Sequence, residues 1–558
     1  MPVRDDALLL VDHLEATVDR MVDHLAHAVV HDGRPSTDAI DAHGTVAYDV
    51  ATIASGVEAA RALVTVAFDD AAPTDDLLEA DLALVFAADV AADLVARTTG
   101  RRAAFGLDDE PDGPDDGPGD PDVAAALAAG RDPALLASVG QRVLDGQTAP
   151  RHLGEDLEMV RQAFRRFAEE RVVPIAEQVH REDADIPDEV VTGLAEMGCF
   201  ALSIPTEHGG MADGSPDELL NMVVVTEELS RGSLGAAGSL ITRPEIIGTA
   251  ILKGGTTEQQ ERWLPTIASG EKMCAVAVTE PDVGSDVAGM TTTATRDGDD
   301  WVLDGVKTWC TFAGRAEYLL VLARTDPDRS RGHRGLSLFV VDKPRFAGHE
   351  WSVEQDGPDG PGSGGRMEAR AIPTLGYRGM HSFEVAIDSW RVPHANLVGE
   401  DDGIGRGFYL QMQAFANARL QTAARALGVM QSALDEAVAY ADQRRVFGSA
   451  LADYELTRVK VARMAALIAG NRAFAVAVAR MLAAGTGQLA ASQVKQLACR
   501  TAEWVTREAQ QLHGGYGYAE EYTVSRLFVD ARVLSIFEGA DEVLALRVIA
   551  RQLVSDHA

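Results

Sequence analysis

The sequence predicts an α+β protein of several domains, in which helical regions flank a central β-region. Three observations lead to this fold class. Apolar residues recur at three-four spacing through the first hundred residues, which is typical of packed helices. Short β-branched runs separated by turns extend from Met273 to Val398. From Gly407 onward the chain returns to long alanine-rich helical segments. At roughly 150 residues per domain, this length predicts three or four domains.

Composition excludes several classes of partner. The 558 residues carry a net charge of −36, so phosphate backbones and anionic membrane surfaces would be repelled. No apolar run approaches the ~18–20 residues of a membrane span, and the N-terminus does not have the pattern of a signal peptide. We therefore expect no nucleic-acid binding and no membrane insertion. The four cysteines lie far apart, which predicts buried thiols in a cytoplasmic protein and no metal site.

The N-terminal 150 residues are predicted to form a separate helical extension and a linker. Residues 1–104 carry three helical patterns, the second capped by Ser36 or Thr37 and the third by Thr74. Residues 105–150 begin with an acidic Pro/Gly-rich run, which predicts a flexible linker, and continue with one short helix over about 122–145. The first helix has one apolar stripe, made by Ala7, Val11, Leu14, Val18, Met21, Leu25 and Ala28.

The remaining chain is predicted to form three domains. Residues 151–271 carry helical patterns at about 153–182, 187–198, 216–231 and 239–253. Residues 272–400 form the β-domain, with a disordered insert predicted at 356–365 because of its repeated Gly and Pro. Residues 401–558 form the C-terminal helical domain.

A loop at residues 279–289 is the first candidate site. It follows the strand-like run 273–278, and Pro281 and Gly284 favour a tight turn. Thr279, Ser285 and backbone N–H groups could bind anionic or carbonyl oxygens there. Trp309-Cys310-Thr311 supplies a second hydroxyl and a flat aromatic ring, so two neighbouring hairpin segments would suit a planar heteroaromatic ligand. The alternative is an ordinary turn beside a buried Trp.

These two segments resemble the flavin-binding strands of the acyl-CoA dehydrogenases, T-E-P-x-x-G-S-D and W-x-T. The resemblance extends from about Leu153 to the C-terminus. It implies a helical domain, a β-barrel-like middle domain and a C-terminal four-helix bundle, with FAD as cofactor. Val276 stands where the family often has an aromatic residue. The implied FAD contacts in this region are Val278, Thr279, Gly284, Ser285, Trp309 and Thr311.

Two later segments resemble those with which the family grips the FAD of a neighbouring subunit. One is Y-x-x-x-R-x-x-F-G, in which Arg444 would contact the pyrophosphate and Phe447 would pack nearby. The other is Q-x-x-G-G-x-G, containing Gln511, Gly514 and Gly515. The resemblance therefore implies a homodimer or homotetramer. Glu455 replaces a usual glutamine, which leaves one adenosine contact open.

Glu538 matches the family's catalytic base, in a segment that resembles (Y/F)-E-G-(T/S). Phe537 and Gly539 flank it, and such surroundings are expected to desolvate the carboxylate and raise its pKa. Some relatives carry the base beside the arginine that is Arg419 here, but its neighbour Ala418 cannot serve. The implied substrate-binding residues are Arg243, Ser285, Arg419 and Gly539.

The resemblance implies α,β-dehydrogenation of an acyl-CoA. Glu538 would remove the α-proton and the flavin would take the β-hydride, with electrons passing to electron-transfer flavoprotein. An acyl-CoA oxidase and an inactive flavoprotein scaffold are the alternatives.

Arg243 lies in a segment that lines the family's acyl pocket. It would bind a substrate carboxylate unless Glu245 or another acid pairs with it. An N-terminal extension together with such an arginine resembles one branch of the acyl-CoA dehydrogenases. That resemblance implies methylsuccinyl-CoA as the substrate, oxidised to mesaconyl-CoA as in the ethylmalonyl-CoA pathway. Butyryl-, isobutyryl- and glutaryl-CoA are the alternatives.

Overall fold

The computed structural model describes residues 2–69, 77–107, 120–357 and 360–557. It contains two compact units, Met1–Met159 with Thr422–Ala558, and Val160–Gln421. The acidic run at 108–119 and the proposed Thr74 cap lie outside the described residues. The five-part domain division stays a prediction.

The N-terminal part of the first unit is helical, as expected. A minimal hairpin, β1 (Val30–His31) and β2 (Arg34–Pro35), follows its first helix. The helices are α1 (Pro2–Val29), α2 (Thr37–Ala42), α3 (Gly44–Ala67), α4 (Leu77–Thr98), α5 (Pro121–Gly130) and α6 (Pro133–Leu144).

The predicted stripe of α1 is confirmed, because all its members except Ala28 are buried. Two predicted helices are each divided. The Ser36 side chain caps α2, but a break at His43 separates α2 from α3. The single helix predicted over 122–145 is also two helices, since Pro133 starts α6 and Asp132 caps it by accepting the N–H of Ala134 at 2.8 Å.

The second unit combines helices with one sheet. Residues 155–159 of α7 and 422–443 of α14 are counted with the first unit. The helices are α7 (Glu155–Phe167), α8 (Val173–Glu182), α9 (Asp188–Glu196), α10 (Glu218–Gly232), α11 (Thr242–Gly254), α12 (Thr257–Ala268), α13 (Glu400–Gly403) and α14 (Gly407–Gln443). The strands are β3 (Cys274–Ala277), β4 (Thr293–Asp297), β5 (Asp300–Thr311), β6 (Tyr318–Arg324), β7 (Leu336–Asp342), β8 (Glu350–Gly357), β9 (Gly360–Ala371) and β10 (Ser382–Pro393).

The sheet is curled and has the order β3-β6-β4-β5-β10-β9-β8, with β7 also paired to β6. β3 runs parallel to β6, whereas β5 and β10 are antiparallel with Phe383 opposite Cys310. One core contains Trp301, Phe339 and Phe383. A second core joins α11 and α12 to the sheet through residues such as Trp263 and Leu320.

The disordered insert predicted at 356–365 is wrong for its described residues. β8 and β9 pair there, with Gln355 opposite Gly365 and Gly357 opposite Gly360. Glycine is needed for close approach rather than for disorder, because a Cβ on Gly365 would lie 2.3 Å from the Ser389 carbonyl oxygen. Residues 358 and 359 lie outside the described part.

The C-terminal part of the first unit is helical again and contains a second minimal hairpin. The elements are β11 (Arg445–Val446), β12 (Ser449–Ala450), α15 (Glu455–Ala483), α16 (Gln488–Leu512), α17 (Thr523–Leu534), α18 (Asp541–Val543) and α19 (Arg551–Asp556). Helices α3, α4 and α6 of the N-terminal part pack against α15, and α3 also packs against α16.

Two helices are long and apolar enough to meet the criteria for a membrane span, which was not expected from the sequence. By length and composition, α3 and α15 could each cross a membrane, but 72% of each apolar window is buried inside the protein. That burial is typical of core helices. The four cysteines are free and buried, as expected, and burial raises the pKa of the Cys310 and Cys499 thiols to about 12.

A buried ion pair holds the loop after β3. The Glu280 carboxylate receives the Lys307 ammonium at 3.0 Å, the Thr291 N–H at 2.6 Å and the Thr292 N–H at 2.8 Å. Lys307 is fully buried on β5 and also donates to the Val278 carbonyl oxygen at 3.0 Å. Burial alone would raise the Glu280 pKa, but the Lys307 charge and the hydrogen bonds outweigh it and lower the pKa from 4.5 to about 2.

Lys307→Met should therefore destabilise the protein by about 3–5 kcal/mol at pH 7, because it leaves a buried carboxylate without its cation. The stabilising effect is present above pH 4.5 and is lost as pH falls toward 2, so the difference from wild type should shrink across that window. Urea unfolding at several pH values measures it. Lys253→Met, which alters an exposed lysine of α11, is the matched control and should cost less than about 0.5 kcal/mol. A constant difference from pH 7 to pH 3 would contradict this account.

Candidate functional site

The loop at 279–289 is attached to the C-terminal half of β5. The Thr308 N–H donates to the Thr279 carbonyl oxygen at 2.9 Å, and Glu280 and Val283 exchange two backbone hydrogen bonds that close the turn. The two segments are neighbours, as expected, but they do not form one hairpin, because β3 pairs with β6 whereas β5 pairs with β4 and β10. The bond between Thr308 and Thr279 and the ion pair of Glu280 and Lys307 hold the two segments together.

This region contains the groups that a flavin would need. Trp309 has a φ of 57° and is 55% exposed, which is unusual for so large an apolar ring. The neighbouring Thr311 hydroxyl is buried and lies 2.9 Å from the Ser382 hydroxyl. Gly284 and Ser285 are exposed, whereas Val278 and Thr279 are half-buried. The arrangement of an open aromatic face beside loop hydroxyls and N–H groups fits the isoalloxazine and pyrophosphate parts of FAD.

The other two predicted cofactor segments meet at one cavity of the first unit. It has a volume of about 650 Å³, and both Arg444 and the Gly514–Gly515 pair line it. The Arg444 guanidinium lies 5.7 Å from the centre of the Tyr516 ring. Gln511 is exposed, and Phe447 is fully exposed with a φ of 49°. An exposed phenyl ring beside an arginine-lined cavity fits a bulky anionic ligand such as a dinucleotide.

Glu538 lies in a strained segment between α17 and α18. Its φ is 54° and that of Gly539 is 106°, where a Cβ on Gly539 would lie 2.9 Å from the Leu544 side chain. Buried Lys495 donates to the Gly539 carbonyl oxygen at 2.6 Å, and burial lowers the pKa of this lysine. These contacts fix the carboxylate-bearing turn.

The surroundings of the Glu538 carboxylate differ from the expected apolar ones. Fully buried Arg425 donates to its Oε2 atom at 2.7 Å, and the Thr422 hydroxyl donates to the same oxygen. The Arg425 guanidinium also lies 4.7 Å from the centre of the Phe537 ring. The expected desolvation is thus accompanied by a cation that favours the ionised carboxylate.

A hydrogen-bond network links the N-terminal helices to the chain just after Glu538. The Tyr48 hydroxyl of α3 donates to the Asp541 carboxylate at 2.5 Å and accepts from Arg500 of α16. Burial, together with the bond to Asp541, raises the pKa of Tyr48 to about 12. The Asp541 N–H in turn donates to the Ser535 carbonyl oxygen at 3.1 Å. The N-terminal extension is therefore part of the support of the Glu538 segment.

Arg243 is buried at the start of α11 in the second unit. Its guanidinium donates to the Ser239 carbonyl oxygen at 3.1 Å and to the Tyr377 hydroxyl at 3.0 Å. Both of these partners are neutral groups, and no ion pair described for these residues joins Arg243 to a carboxylate. Arg419 is half-buried on α14, beside the fully buried Ala418.

Several residues of these sites could not be identified from the sequence. Lys307, Arg425 and Tyr377 contact the predicted residues Val278, Glu538 and Arg243. Tyr48 contacts Asp541, three residues after Glu538. Only the helical spacing of Thr422 and Arg425 offered a local signal, because residues three apart share a helix face. The other contacts depend on tertiary structure.

The comparisons with known proteins agree with this geometry. Models of the acyl-CoA dehydrogenase N-terminal, middle and C-terminal domains match residues 154–271, 275–389 and 405–554. The (2S)-methylsuccinyl-CoA dehydrogenase of Cereibacter sphaeroides is 45% identical over 72% of this chain and 70% of its own. A subunit of the caffeyl-CoA reductase-Etf complex of Acetobacterium woodii is 33% identical over 70% of this chain and 97% of its own.

Solved structures of other proteins are similar to this chain in fold and sequence. A glutaryl-coenzyme A dehydrogenase in complex with glutaryl-CoA has a TM-score of 0.64 and 30% identity, covering 72% of this chain and 95% of that one. A Mycobacterium smegmatis glutaryl-CoA dehydrogenase in complex with FADH2 has a TM-score of 0.62 and 27% identity, over 72% of this chain and 95% of that one. The chain therefore belongs to the acyl-CoA dehydrogenase family and is an FAD-dependent oxidoreductase.

Proposed function

We propose that this enzyme oxidises (2S)-methylsuccinyl-CoA to mesaconyl-CoA and passes the electrons to an electron-transfer flavoprotein. The substrate assignment rests on Arg243, which is buried and held only by hydrogen bonds to neutral groups. A buried guanidinium without a carboxylate partner is costly, and a substrate that brings its own carboxylate removes that cost. The similarity to a methylsuccinyl-CoA dehydrogenase supports the same substrate.

Arg243 is suited to bind such a carboxylate. The hydrogen bonds to Ser239 and Tyr377 both use its Nη1 atom, so Nη2 and Nε remain for a planar bidentate contact. The bonds to Ser239 and Tyr377 hold the guanidinium in place without neutralising it. A monocarboxylic acyl group such as butyryl offers no anion at this position, and the arginine therefore favours a dicarboxylic acyl-CoA.

Glu538 is the proposed general base. Arg425 and Thr422 keep its carboxylate ionised and oriented, and the strained turn at Glu538–Gly539 keeps it in one conformation. In this proposal the carboxylate removes the α-proton of the thioester, and the Glu538 backbone N–H helps to polarise the thioester carbonyl. Bound FAD supplies the hydride acceptor. Arg419, Ser285 and Gly539 are proposed to contact the substrate.

The cofactor is proposed to be shared between subunits of a homodimer or homotetramer. Thr279, Ser285, Trp309 and Thr311 would hold the flavin of their own chain. The Arg444 cavity, with the glycine pair and exposed Phe447, would receive the dinucleotide of a second copy. The Etf-associated relative supports electron-transfer flavoprotein as the acceptor, and four buried reduced thiols support a cytoplasmic location.

The substrate assignment is tested at Arg243. Arg243→Met should lower kcat/KM for methylsuccinyl-CoA by roughly ten- to a hundred-fold, since a charge-assisted bond of ~1.5–3 kcal/mol is lost. The value of kcat/KM for butyryl-CoA should not change. Arg243→Lys should recover only part of the loss, because an ammonium lacks the paired, planar donors of a guanidinium. Arg231→Met, which alters a half-buried arginine on α10, is the control for general loss of charge. An unchanged ratio of the two substrates, with or without a fall in Tm, would reject the carboxylate assignment.

The shared cofactor is tested at Arg444. Arg444→Ala should lower FAD retention and weaken oligomerisation together, because this one side chain would bind the FAD of a second subunit and so also join the two subunits. Arg445→Ala changes the adjacent exposed arginine and should do neither. Light scattering coupled to gel filtration, with the flavin-to-protein ratio of each peak, gives both readings. A stable wild-type monomer that keeps its FAD would be incompatible with sharing.

The role of Arg425 as a positioning residue is tested by pH dependence. Arg425→Met should move the acidic limb of the kcat/KM profile upward by about one to two pH units, because the cation that favours ionised Glu538 is removed. Arg425→Lys should restore part of the shift, and Arg472→Met, at an arginine that contacts Gln431, should leave the limb in place. A lower rate with an unmoved limb would mean that Arg425 only supports the fold.

A further inference from the structure

A cluster of metal-binding side chains lies in the second unit, apart from the residues assigned to catalysis. Asp183, His349 and His381 place one ligand atom each within 4.8 Å of one another. His349 Nε2 lies 3.3 Å from one Asp183 oxygen, and His381 Nδ1 lies 3.7 Å from the other. Tetrahedral zinc with bonds of about 2.0–2.1 Å separates its ligand atoms by roughly 3.3 Å, so small side-chain movements would suffice.

His381 also has the outer carboxylate that zinc-binding histidines usually have. It is 8% exposed, and its Nε2 atom lies 3.3 Å from Asp185 Oδ1. Both atoms are buried, and neither has another hydrogen-bond partner among the described residues. The other Asp185 oxygen accepts the Gly348 N–H at 2.7 Å, which fixes the carboxylate. A proton on Nε2 would face Asp185, leaving the Nδ1 lone pair directed toward Asp183 and His349.

The charges around the cluster leave room for a cation. Arg378 is the nearest guanidinium, with its Nε atom 3.8 Å from an Asp183 oxygen. It donates instead to the Thr374 and His180 carbonyl oxygens at 3.1 and 3.0 Å. The two imidazole rings lie 4.4 Å apart, so one ion can reach both. A divalent ion would add positive charge beside the Asp183 and Asp185 carboxylates.

The three side chains come from separate elements. Asp183 follows α8, His349 precedes β8 and His381 precedes β10. Asp183 and His381 have φ values of 51° and 37°, a conformation that costs energy in residues other than glycine. A shared ligand would fasten the α8 loop to the starts of two strands.

We propose that Asp183, His349 and His381 bind one zinc ion, with Asp185 as the hydrogen-bond partner of His381. Half-exposed His349 leaves the site open to solvent, so a water molecule can complete the coordination. The ion would also restrict the movement of the start of β10, which pairs with β5, the strand that carries Trp309 and Thr311. The Phe312 N–H donates to the His381 carbonyl oxygen at 2.8 Å, and the adjacent Ser382 hydroxyl contacts Thr311. This site could not be recognised from the sequence, because its members are far apart in the chain.

Titration calorimetry of the chelator-treated, full-length FAD-loaded protein with zinc chloride tests the proposal. We expect saturable binding of about one zinc per chain. His349→Gln, at a half-exposed position, should weaken binding by at least a hundred-fold, and Asp185→Asn by about ten- to a hundred-fold. His31→Gln, at an exposed histidine in the N-terminal part, should bind like wild type.

The melting temperature provides a second reading that does not depend on activity. Zinc at a hundred-fold excess over its Kd should raise the Tm of wild type and of His31→Gln, but not that of His349→Gln. Absence of saturable binding, or equal affinity in His349→Gln and wild type, would overturn the proposal. So would a Tm that responds equally to zinc in all three proteins, since that would indicate binding elsewhere.

Discussion

The buried ion pair between Glu280 and Lys307 is the constraint on which the cofactor-binding loop depends. A carboxylate and an ammonium are both costly to bury, and the structure meets that cost with backbone donors from Thr291 and Thr292 and an acceptor at Val278. Because β3 does not pair with β5, this cluster replaces the strand hydrogen bonds that would otherwise align the two segments. Trp309 can then stay exposed beside the loop without the strand losing its position.

The base-bearing segment depends on a different set of charges, in the other compact unit. Arg425 and Thr422 orient the Glu538 carboxylate, and Lys495 holds the next carbonyl group. Tyr48 and Arg500 hold Asp541, three residues further along. The N-terminal helices that contribute Tyr48 lie outside the segments matched by the family. Their packing on α15 and α16 gives this extension a physical role in supporting the proposed catalytic turn.

Much of this arrangement was predictable from the sequence. The helix–sheet–helix order and the stripe of α1 follow from periodicity, and the motifs around Thr279, Arg444, Gly514 and Glu538 identified the family. Periodicity does not resolve breaks such as His43 or Pro133, where a local cap outweighs a continuous apolar pattern. Glycine-rich composition also predicted disorder at 356–365, where close backbone approach to Ser389 is the actual reason for glycine. Arg425 and Tyr377 could not be assigned to their partners without the tertiary fold.

In the proposed reaction, Glu538 starts the oxidation of a dicarboxylic acyl-CoA by removing its α-proton. This reaction can be observed by mixing the FAD-loaded enzyme anaerobically with (2S)-methylsuccinyl-CoA, with flavin absorbance and mesaconyl-CoA followed together. We expect the flavin to bleach as one mesaconyl-CoA forms per flavin. Glu538→Gln should bleach at least ~10³-fold more slowly, whereas Glu542→Gln, at an exposed acid four residues on, should match wild type. Bleaching by Glu538→Gln at more than about a tenth of the wild-type rate would reject Glu538 as the base, and a wild-type flavin that this substrate does not reduce would reject the substrate.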